Sequence, residues 1–212
     1  MISTLDHLII VVKDLDEAEK DYTKIFGMSP VWRGEHKELG TINSIFNLEN
    51  TYFELLASKG AGLGADLVSS ALEQDGEGLT GIVFGTDNIK DAHASIKSAG
   101  YGIGEISNGE GSNSDNVNIR RWQNLFLPPE LTRGLFSFVI EHTDGQLPAS
   151  NYQTSSISKL DHVVINTNDA DGLISVYQDV FKIRLALDKV IEHWKKRMLF
   201  FRLNKTTIEV IE

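Results

Sequence analysis

Two pairs of histidine and glutamate recur along this chain at one spacing. Glu54 follows His7 by 47 residues, and Glu209 follows His162 by 47 residues. Imidazole and carboxylate groups are common ligands of divalent metals, and they also exchange protons with substrates. A single histidine or glutamate is more often a hydrogen-bonded core residue or a partly solvated side chain. The repetition of the pair favours a metal or substrate site in at least one of the two places.

The composition limits which sites the chain can build. Its 20 Lys and Arg against 30 Asp and Glu give a net charge of −10, which argues against binding to nucleic acid. Cysteine is absent, so disulfides and thiolate ligands are excluded, and any metal must be held by His, Asp, Glu or neutral oxygens. No apolar run approaches the roughly 20 residues that span a bilayer, and residues 1–7 do not resemble a signal peptide. We therefore expect a cytoplasmic protein with no membrane partner.

The two pairs lie at the ends of a repeated pattern of elements. An apolar, β-branched run at residues 5–12 predicts a buried strand, and the apolar residues that follow recur at helical spacing up to Gly27. Three strand-like runs come next, and the same order returns after residue 158. We predict a strand–helix–three-strand (βαβββ) module at residues 1–58 and another at 159–212. The later strands are predicted at 31–36, 41–48 and 51–57 in the first module, and at 184–191, 197–204 and 206–211 in the last.

A middle copy of the module is predicted at residues 79–143, which would form one domain with the first copy. Gly81 stands where the other copies have histidine, and Glu141, 60 residues later, is interpreted as the counterpart of their glutamate. His142 should point away from Glu141 and is not predicted to be a ligand. Residues 144–158 lack apolar periodicity and are predicted to be a linker to the third module. The middle elements are predicted as strand 79–86, helix 88–99, and strands 102–107, 117–127 and 135–142, with a polar loop at 107–116.

Strand alternation predicts which side chains share a face with His7. His7 and Ile9 point to the face opposite Leu8. In the predicted strand at 51–57, the same alternation places Glu54 on the face of His7. A carboxylate among apolar residues inside a sheet is costly unless it is paired, protonated or bound to a metal. We therefore predict an imidazole and a carboxylate together on one concave face, either as a metal site or as a His–Glu pair.

Four further residues are candidates for contacting a substrate. Arg120, Trp122 and Asn124 share one face of a predicted strand, and a cation beside an aromatic ring suits an anionic or planar organic ligand. Arg121, on the other face, competes for that role. His36 lies in a strand-like run and is predicted either at the mouth of a pocket or in solvent.

At this point the chain resembles the vicinal oxygen chelate superfamily, which includes glyoxalase I, bleomycin-resistance proteins and extradiol dioxygenases. The resemblance implies an α+β fold in which repeated βαβββ modules form a U-shaped mixed sheet around a cavity. It covers most of the chain and is specific for the fold, but it is weak for the reaction because one scaffold carries many chemistries. The motifs that match the superfamily are Leu5-Asp6-His7 and Tyr52-Phe53-Glu54-Leu55. The first two modules resemble its glyoxalase-like domain branch through Gly40-Thr41 with Asn43, Gly78-Leu79-Thr80-Gly81, Arg121-Trp122, and Phe138-Val139-Ile140-Glu141-His142.

The resemblance also implies a ligand set for a divalent metal such as Zn, Ni, Co, Mn or Fe. Carried over to this chain, the set is His7, Glu54 and Glu141, with Glu54 or Glu141 as the group that moves a proton. The glycine in the second module leaves the alternative that no metal binds. A second set consists of His162 and Glu209. These two would join His7 and Glu54 in a four-ligand site if the first and third modules paired, but we prefer the pairing of first with second.

That pairing leaves the third module without a partner, which predicts a homodimer through this module or a fourth module elsewhere. Two functions follow from the sequence. The first is a metal-dependent enzyme that chelates vicinal oxygens of a small organic substrate, of the lyase or isomerase type rather than a dioxygenase. The second is a metal-free protein that binds or sequesters a small molecule in the same cavity.

Overall fold

The computed structural model describes residues 1–113 and 118–212 of the chain. The first module contains strands β1 (Ile2–Val11), β2 (Trp32–His36), β3 (Thr41–Asn47) and β4 (Tyr52–Ser58) and helix α1 (Leu15–Phe26). The second follows helix α2 (Leu63–Gln74) and contains β5 (Gly78–Thr86), α3 (Ile89–Ser98), β6 (Ser107–Asn113), β7 (Ile119–Phe126), α4 (Pro129–Thr132) and β8 (Phe136–Asp144). The third contains β9 (His162–Asn166), α5 (Ala170–Ile174), a π-helical continuation (Ser175–Val180), β10 (Arg184–Ile191), β11 (Lys196–Leu203) and β12 (Thr206–Ile211).

The first two modules share one strongly curved sheet. β1 pairs in parallel with β4 and antiparallel with β5, which joins the modules along one seam. At the other seam β2 pairs with β6 at Gly34 and Glu35. The sheet thereby closes into a barrel of order β1-β4-β3-β2-β6-β7-β8-β5. The predicted α+β fold, with βαβββ modules curved around a cavity, is confirmed.

Helices cover the outside of the barrel and one of its ends. Helix α1 begins where the Asp14 side chain accepts hydrogen bonds from two backbone amides, and it ends at Gly27, whose φ of 65° suits glycine. Its buried Leu15 and Phe26 pack on the outward-facing residues of β1, β3 and β4. Helix α2 packs instead on inward-facing side chains such as Val11 and Leu56, and so it covers one end of the barrel.

The second module departs from the prediction in its middle strands. Residues 102–106, predicted to lie in a strand, are irregular, and β6 occupies residues predicted to form a polar loop. The end of that predicted loop, residues 114–116, and the first residue of the predicted strand at 117–127 lie outside the described residues. Glycine and serine disfavour strands in general, but a Cβ at Gly109 would collide with the indole of Trp122 on the paired strand β7. Position 109 is therefore a glycine, despite its low strand propensity, because Trp122 occupies the space of a side chain.

The third module repeats the strand order of the first. Its sheet has the order β10-β11-β12-β9, which corresponds to β2-β3-β4-β1. One face of this sheet packs into the core between the third module and the barrel, where Phe84 of β5 contacts Tyr177 and Phe181. An ion pair of 2.8 Å between Arg133 and Asp169 joins the same two parts. The third module is thus attached to the barrel through a shared apolar core.

Residues 144–158, predicted to be a linker, lie along the first module and are hydrogen-bonded to it. The Tyr152 hydroxyl donates to the carbonyl of Asn47 at 2.9 Å, and the backbone amide of Ile157 donates to the carbonyl of Phe26 at 2.9 Å. These contacts fix the path of the segment from the barrel to the third module.

The other face of the third sheet is open to solvent. Val164 is 41% exposed and Leu187 is 46% exposed on it. Pairing of this face with a second copy of the chain stays a prediction. Among the described residues, no helix is long and apolar enough to cross a membrane.

Because Phe84 is 1% exposed and joins the barrel to the third module, we expect Phe84→Ala to lower the free energy of unfolding by about 3–5 kcal/mol. The measurement is denaturant unfolding followed by circular dichroism. Phe126→Ala, at a position that is 50% exposed, is the matched control and should cost about 1 kcal/mol or less. A loss for Phe84→Ala as small as that of the control would contradict the shared core.

Candidate functional site

The barrel encloses a cavity of about 340 Å³. Inward-facing side chains of β1, β2, β3, β4, β7 and β8 form its walls, and residues of α2 lie at one end. Most of the lining is apolar or aromatic, and the polar side chains come mainly from the first module and from β7. The apolar walls are formed by Ile9, Ile45, Leu56, Phe136, Phe138 and Ile140.

His7 lies at the centre of a chain of buried charged groups. Its Nδ1 is 2.7 Å from Oδ1 of Asp6, and its Nε2 is 3.4 Å from Oε2 of Glu54. Nδ2 of Asn43 donates to the other oxygen of Glu54 at 2.7 Å. The ring of His7 also stacks on Tyr52, with ring centres 4.4 Å apart. The imidazole is therefore fixed in position by two carboxylates and an aromatic ring.

The backbone explains how Asp6 and His7, which are adjacent in sequence, both belong to this cluster of charged groups. The register between β1 and β5 shifts between Leu5 and His7, so two residues of β1 advance against one residue of β5. Such a bulge redirects side chains away from strict alternation. The carboxylate of Asp6 can then reach Nδ1 of the neighbouring imidazole.

The charged groups around His7 stabilise one another against the cost of burial. Burial alone would lower the pKa of His7, but hydrogen bonds to Asp6 and Glu54 outweigh it and raise the pKa above its ordinary value. Burial would raise the pKa of Glu54, but the hydrogen bond and charge of His7 lower that pKa to about 2. The pKa of Asp6 is held well below its usual range: burial raises it, but hydrogen bonds to His142 and His7 outweigh burial. At neutral pH both carboxylates are therefore ionised, and they favour the protonated form of His7.

His142 and Arg120 extend this cluster of charged groups across the cavity to the second module. Nε2 of His142 is 3.1 Å from Oδ2 of Asp6, and a guanidinium nitrogen of Arg120 is 3.5 Å from Nδ1 of His142. Arg120 is only 6% exposed, and its guanidinium lies 5.7 Å and 5.6 Å from the ring centres of Trp32 and Tyr52. A buried cation thus lines the cavity among aromatic rings.

The residues predicted to contact a substrate all line the cavity. Arg120, Trp122 and Asn124 face inward from β7, whereas Arg121 faces outward and is paired with Glu110 and Asp144. His36 also lines the cavity, with Nδ1 3.0 Å from the hydroxyl of Thr41, and burial lowers its pKa. Its ring packs edge-on to Trp122 at 5.9 Å. Their role towards a substrate stays a prediction.

The assignment of Glu141 to the site is wrong. Its carboxylate accepts a hydrogen bond of 2.7 Å from the backbone amide of Ile89 at the start of α3, on the outer face of β8. The inward-facing residues of β8 are its neighbours Ile140 and His142. The prediction failed because it matched Glu141 to Glu54 by residue type, whereas strand register places a different residue at the position equivalent to Glu54.

Strand register identifies the true counterparts of the first pair. His7 is paired with Tyr52, and Glu54 lies two residues further along β4. Gly81 is paired with Phe136, so the residue two positions further along β8 is Phe138. Phe138 packs edge-on against the ring of His7 at 5.8 Å. The second module therefore contributes glycine and phenylalanine where the first contributes histidine and glutamate.

The donor set of the cavity does not fit the divalent metal that the resemblance implies. Two of the expected ligands remain, His7 and Glu54, and both nitrogens of His7 already face carboxylates. Within the described part of the chain, no three His, Asp or Glu side chains are grouped so that they could hold one ion. Sites for Zn and similar metals need three or four protein ligands.

The second pair is also brought together, but outside any barrel. Nε2 of His162 is 3.8 Å from Oε2 of Glu209, and Nδ1 is 2.8 Å from Asp161, as in the first module. The side chain of His162 is 44% exposed on the open face of the third sheet. The repeat reproduces the local pair without enclosing it.

Four polar residues of the site are not predicted from the sequence: Asn43, Tyr52 and His142, which line the cavity, and Asp6, which contacts His7. The sequence did carry a signal for Asp6, since the Asp-His dipeptide occurs in both the first and the third module. Asn43 belongs to one of the motifs of the resemblance, and strand alternation places Tyr52 on the same face as His7 and Glu54. No sequence signal placed His142 in the cavity, because its direction depends on the register of β8.

Comparison with known proteins agrees with this architecture. The profile of a family described as glyoxalase-like domain matches residues 5–181. A hypothetical protein from Staphylococcus aureus has 13% identity and a TM-score of 0.74, covering 99% of this chain and 86% of its own. Methylmalonyl-CoA epimerase from Streptomyces coelicolor, solved with 2-nitronate-propionyl-CoA, has 21% identity and a TM-score of 0.53, covering 66% and 98%. The epimerase from Mycobacterium tuberculosis has 18% identity and a TM-score of 0.54, covering 68% and 90%. A search of curated proteins finds no match.

The lowered pKa of Glu54 predicts an acid-dependent loss of stability. A carboxyl whose pKa falls from 4.5 to about 2 on folding contributes stability that is present above pH 4.5 and is lost as the pH falls towards 2. Glu54→Gln should therefore be less stable than the wild type by about 3 kcal/mol at pH 6, and the difference should disappear near pH 2. Urea unfolding at a series of pH values measures this. Glu209→Gln, on the open sheet, is the control, and a pH-independent difference for Glu54→Gln would refute the buried ion pair.

Proposed function

Since the chain belongs to the glyoxalase-like domain family, we propose that it binds a small organic molecule in its barrel cavity and that it does so without a metal ion. The observation that carries the proposal is the pair Gly81 and Phe138 at the positions equivalent to His7 and Glu54. This half of the cavity has no metal ligands at those positions and offers apolar surface in their place.

The size and lining of the cavity suit an organic ligand. Small-molecule sites in proteins are clefts of roughly 300–1,000 Å³, mostly apolar, with a few polar groups that orient the ligand. The cavity here has about 340 Å³ with phenylalanine, leucine and isoleucine walls. Its polar groups are rigid, because His7, Glu54 and Asn43 are hydrogen-bonded to one another. A rigid site loses little entropy on binding, which favours affinity.

The same groups favour binding over proton transfer. A general base works best when its pKa is near the working pH, but His7 lowers the pKa of Glu54 to about 2. The other expected base, Glu141, is bound to the start of α3 outside the cavity. Metal-dependent lyase or isomerase chemistry would need a donor set that these residues do not supply. The metal-free binding function, one of the two derived from the sequence, is therefore the better supported.

The proposal predicts that a neutral aromatic probe binds in the absence of metals. N-phenylnaphthylamine, which fluoresces more strongly in apolar surroundings, should bind the full chain with micromolar affinity in the presence of a chelator. Addition of Zn, Ni, Co, Mn or Fe should leave the affinity within about twofold. Fluorescence titration at neutral pH measures both. Absence of binding, or binding that appears only with a metal, would refute the proposal.

The location of the probe is tested by a matched pair of variants on β7. Asn124→Trp inserts a large side chain from the inward-facing position, so it should lower the affinity at least about tenfold. Gln123→Trp places the same side chain on the outer face, where Gln123 contacts Asn108, and should leave the affinity unchanged. Equal effects of the two variants would show that the probe binds elsewhere.

A further inference from the structure

We infer that the ligand of this cavity is an organic anion, an aromatic or branched apolar body whose acid group binds Arg120. The inference rests on the proposed function and names the chemical class of the ligand. It depends on the hydrogen bonds that Arg120 lacks and on the side chains that surround it.

Arg120 is a buried cation without an ion-pair partner in the part of the chain that the structure describes. It is 6% exposed, yet no carboxylate of the described residues lies within 4.0 Å of its guanidinium. Its Nε has no hydrogen-bond partner among them, and its polar side-chain contacts, a 3.5 Å approach to His142 and a hydrogen bond with the Tyr52 hydroxyl, include no carboxylate. Buried arginine is normally paired, because an unpaired buried charge is costly.

The neighbouring Arg121 shows the contrast on the same strand. It is about half exposed, and it binds Glu110 and Asp144 at 2.8 Å and 2.9 Å. An exposed arginine with two carboxylates thus lies beside a buried arginine that has none among the described residues. A planar guanidinium fork matches the two oxygens of a carboxylate, so an acid group of a ligand would fill the place that protein carboxylates leave open.

The two carboxylates of the site, Glu54 on the cavity wall and Asp6 beside His7, are bound to other groups. Glu54 is held by His7 and Asn43, and Asp6 is held by His7 and His142. Both carboxylates face the ring nitrogens of His7 and not the guanidinium of Arg120. Among the described residues, the guanidinium of Arg120 meets this cluster only at His142, 3.5 Å away, and at Tyr52.

The surroundings of Arg120 specify the rest of the ligand. Trp32 and Tyr52 flank the guanidinium, and Trp122 lines the cavity from the same strand, which suits an aromatic or branched body. Asn43 adds a preference for a hydrogen-bond donor. Its amide nitrogen is committed to Glu54, whereas its buried Oδ1 has no partner among the described residues.

Two dyes that share one skeleton test the inference. Anilinonaphthalene sulfonate carries an acid group, and N-phenylnaphthylamine is its neutral counterpart. We expect the sulfonate to bind the wild type at least about tenfold more tightly than the neutral dye, because a charge-assisted hydrogen bond in a buried site contributes a factor of about 10–100. Arg120→Gln should remove this preference, whereas Arg121→Gln should retain it. Naphthoate should displace the sulfonate, and naphthamide should not.

The outcomes separate this inference from the proposed function. If the neutral dye binds the cavity but Arg120→Gln does not reduce the preference for the sulfonate, the inference is wrong and the proposed function stands. If neither dye binds the wild type, both are wrong. Should Arg120→Gln fail to fold, Arg120→Lys decides: it keeps the charge but not the fork, so the sulfonate should lose about several-fold in affinity and the neutral dye should not. Equal changes for both dyes would overturn the inference.

Discussion

The antiparallel pairing of β1 with β5 is the interaction on which the cavity depends. Each module alone is a four-stranded sheet with one face covered by a helix and one face open, as the third module shows. The pairing joins two such sheets edge to edge, and the curvature of both brings β2 to β6 at the opposite seam. A closed sheet has no free edges and encloses its concave face. The open face of one module thereby becomes the wall of a cavity.

Enclosure changes the electrostatics of otherwise similar residues. The His–Asp and His–Glu approaches of the first module recur in the third, at 2.8 Å and 3.8 Å. Within the barrel the same groups are cut off from water, so their mutual attraction is strong and both carboxylates are held ionised. On the open sheet, His162 is partly solvated and such a pair contributes little. The repeat therefore supplies the geometry, and the second module supplies the low-dielectric surroundings.

The sequence predicted the fold well because both signals that define it are local or repeated. Apolar periodicity gave the helices and most strands, and the spacing of 47 residues aligned the first and third modules. Prediction from the sequence failed where tertiary contacts determine the residue type or the strand register. Strand β6 has a glycine at 109 because Trp122 occupies the space of a side chain there. Glu141 was matched to Glu54 by residue type, although the register of β8 against β5 places Phe138 there. A shift of an odd number of residues reverses the face of every side chain in a strand. If Glu141 faced the cavity, His142 would face outward, but the observed register turns Glu141 outward and His142 into the cavity.

The divergence of the modules gives the cavity two chemically different halves. The first module provides buried charges that are bound to one another, and the second provides Gly81, Phe136 and Phe138 on the opposite wall. A Cβ at Gly81 would lie 2.9 Å from the ring of Phe136 and 3.2 Å from Cβ of Ile9, so a histidine there could not coexist with the present packing. A histidine at position 81 and the aromatic wall of the second module thus exclude each other. Arg120 lies on β7, the strand beside that wall, so the cavity combines a buried cation with an apolar surface.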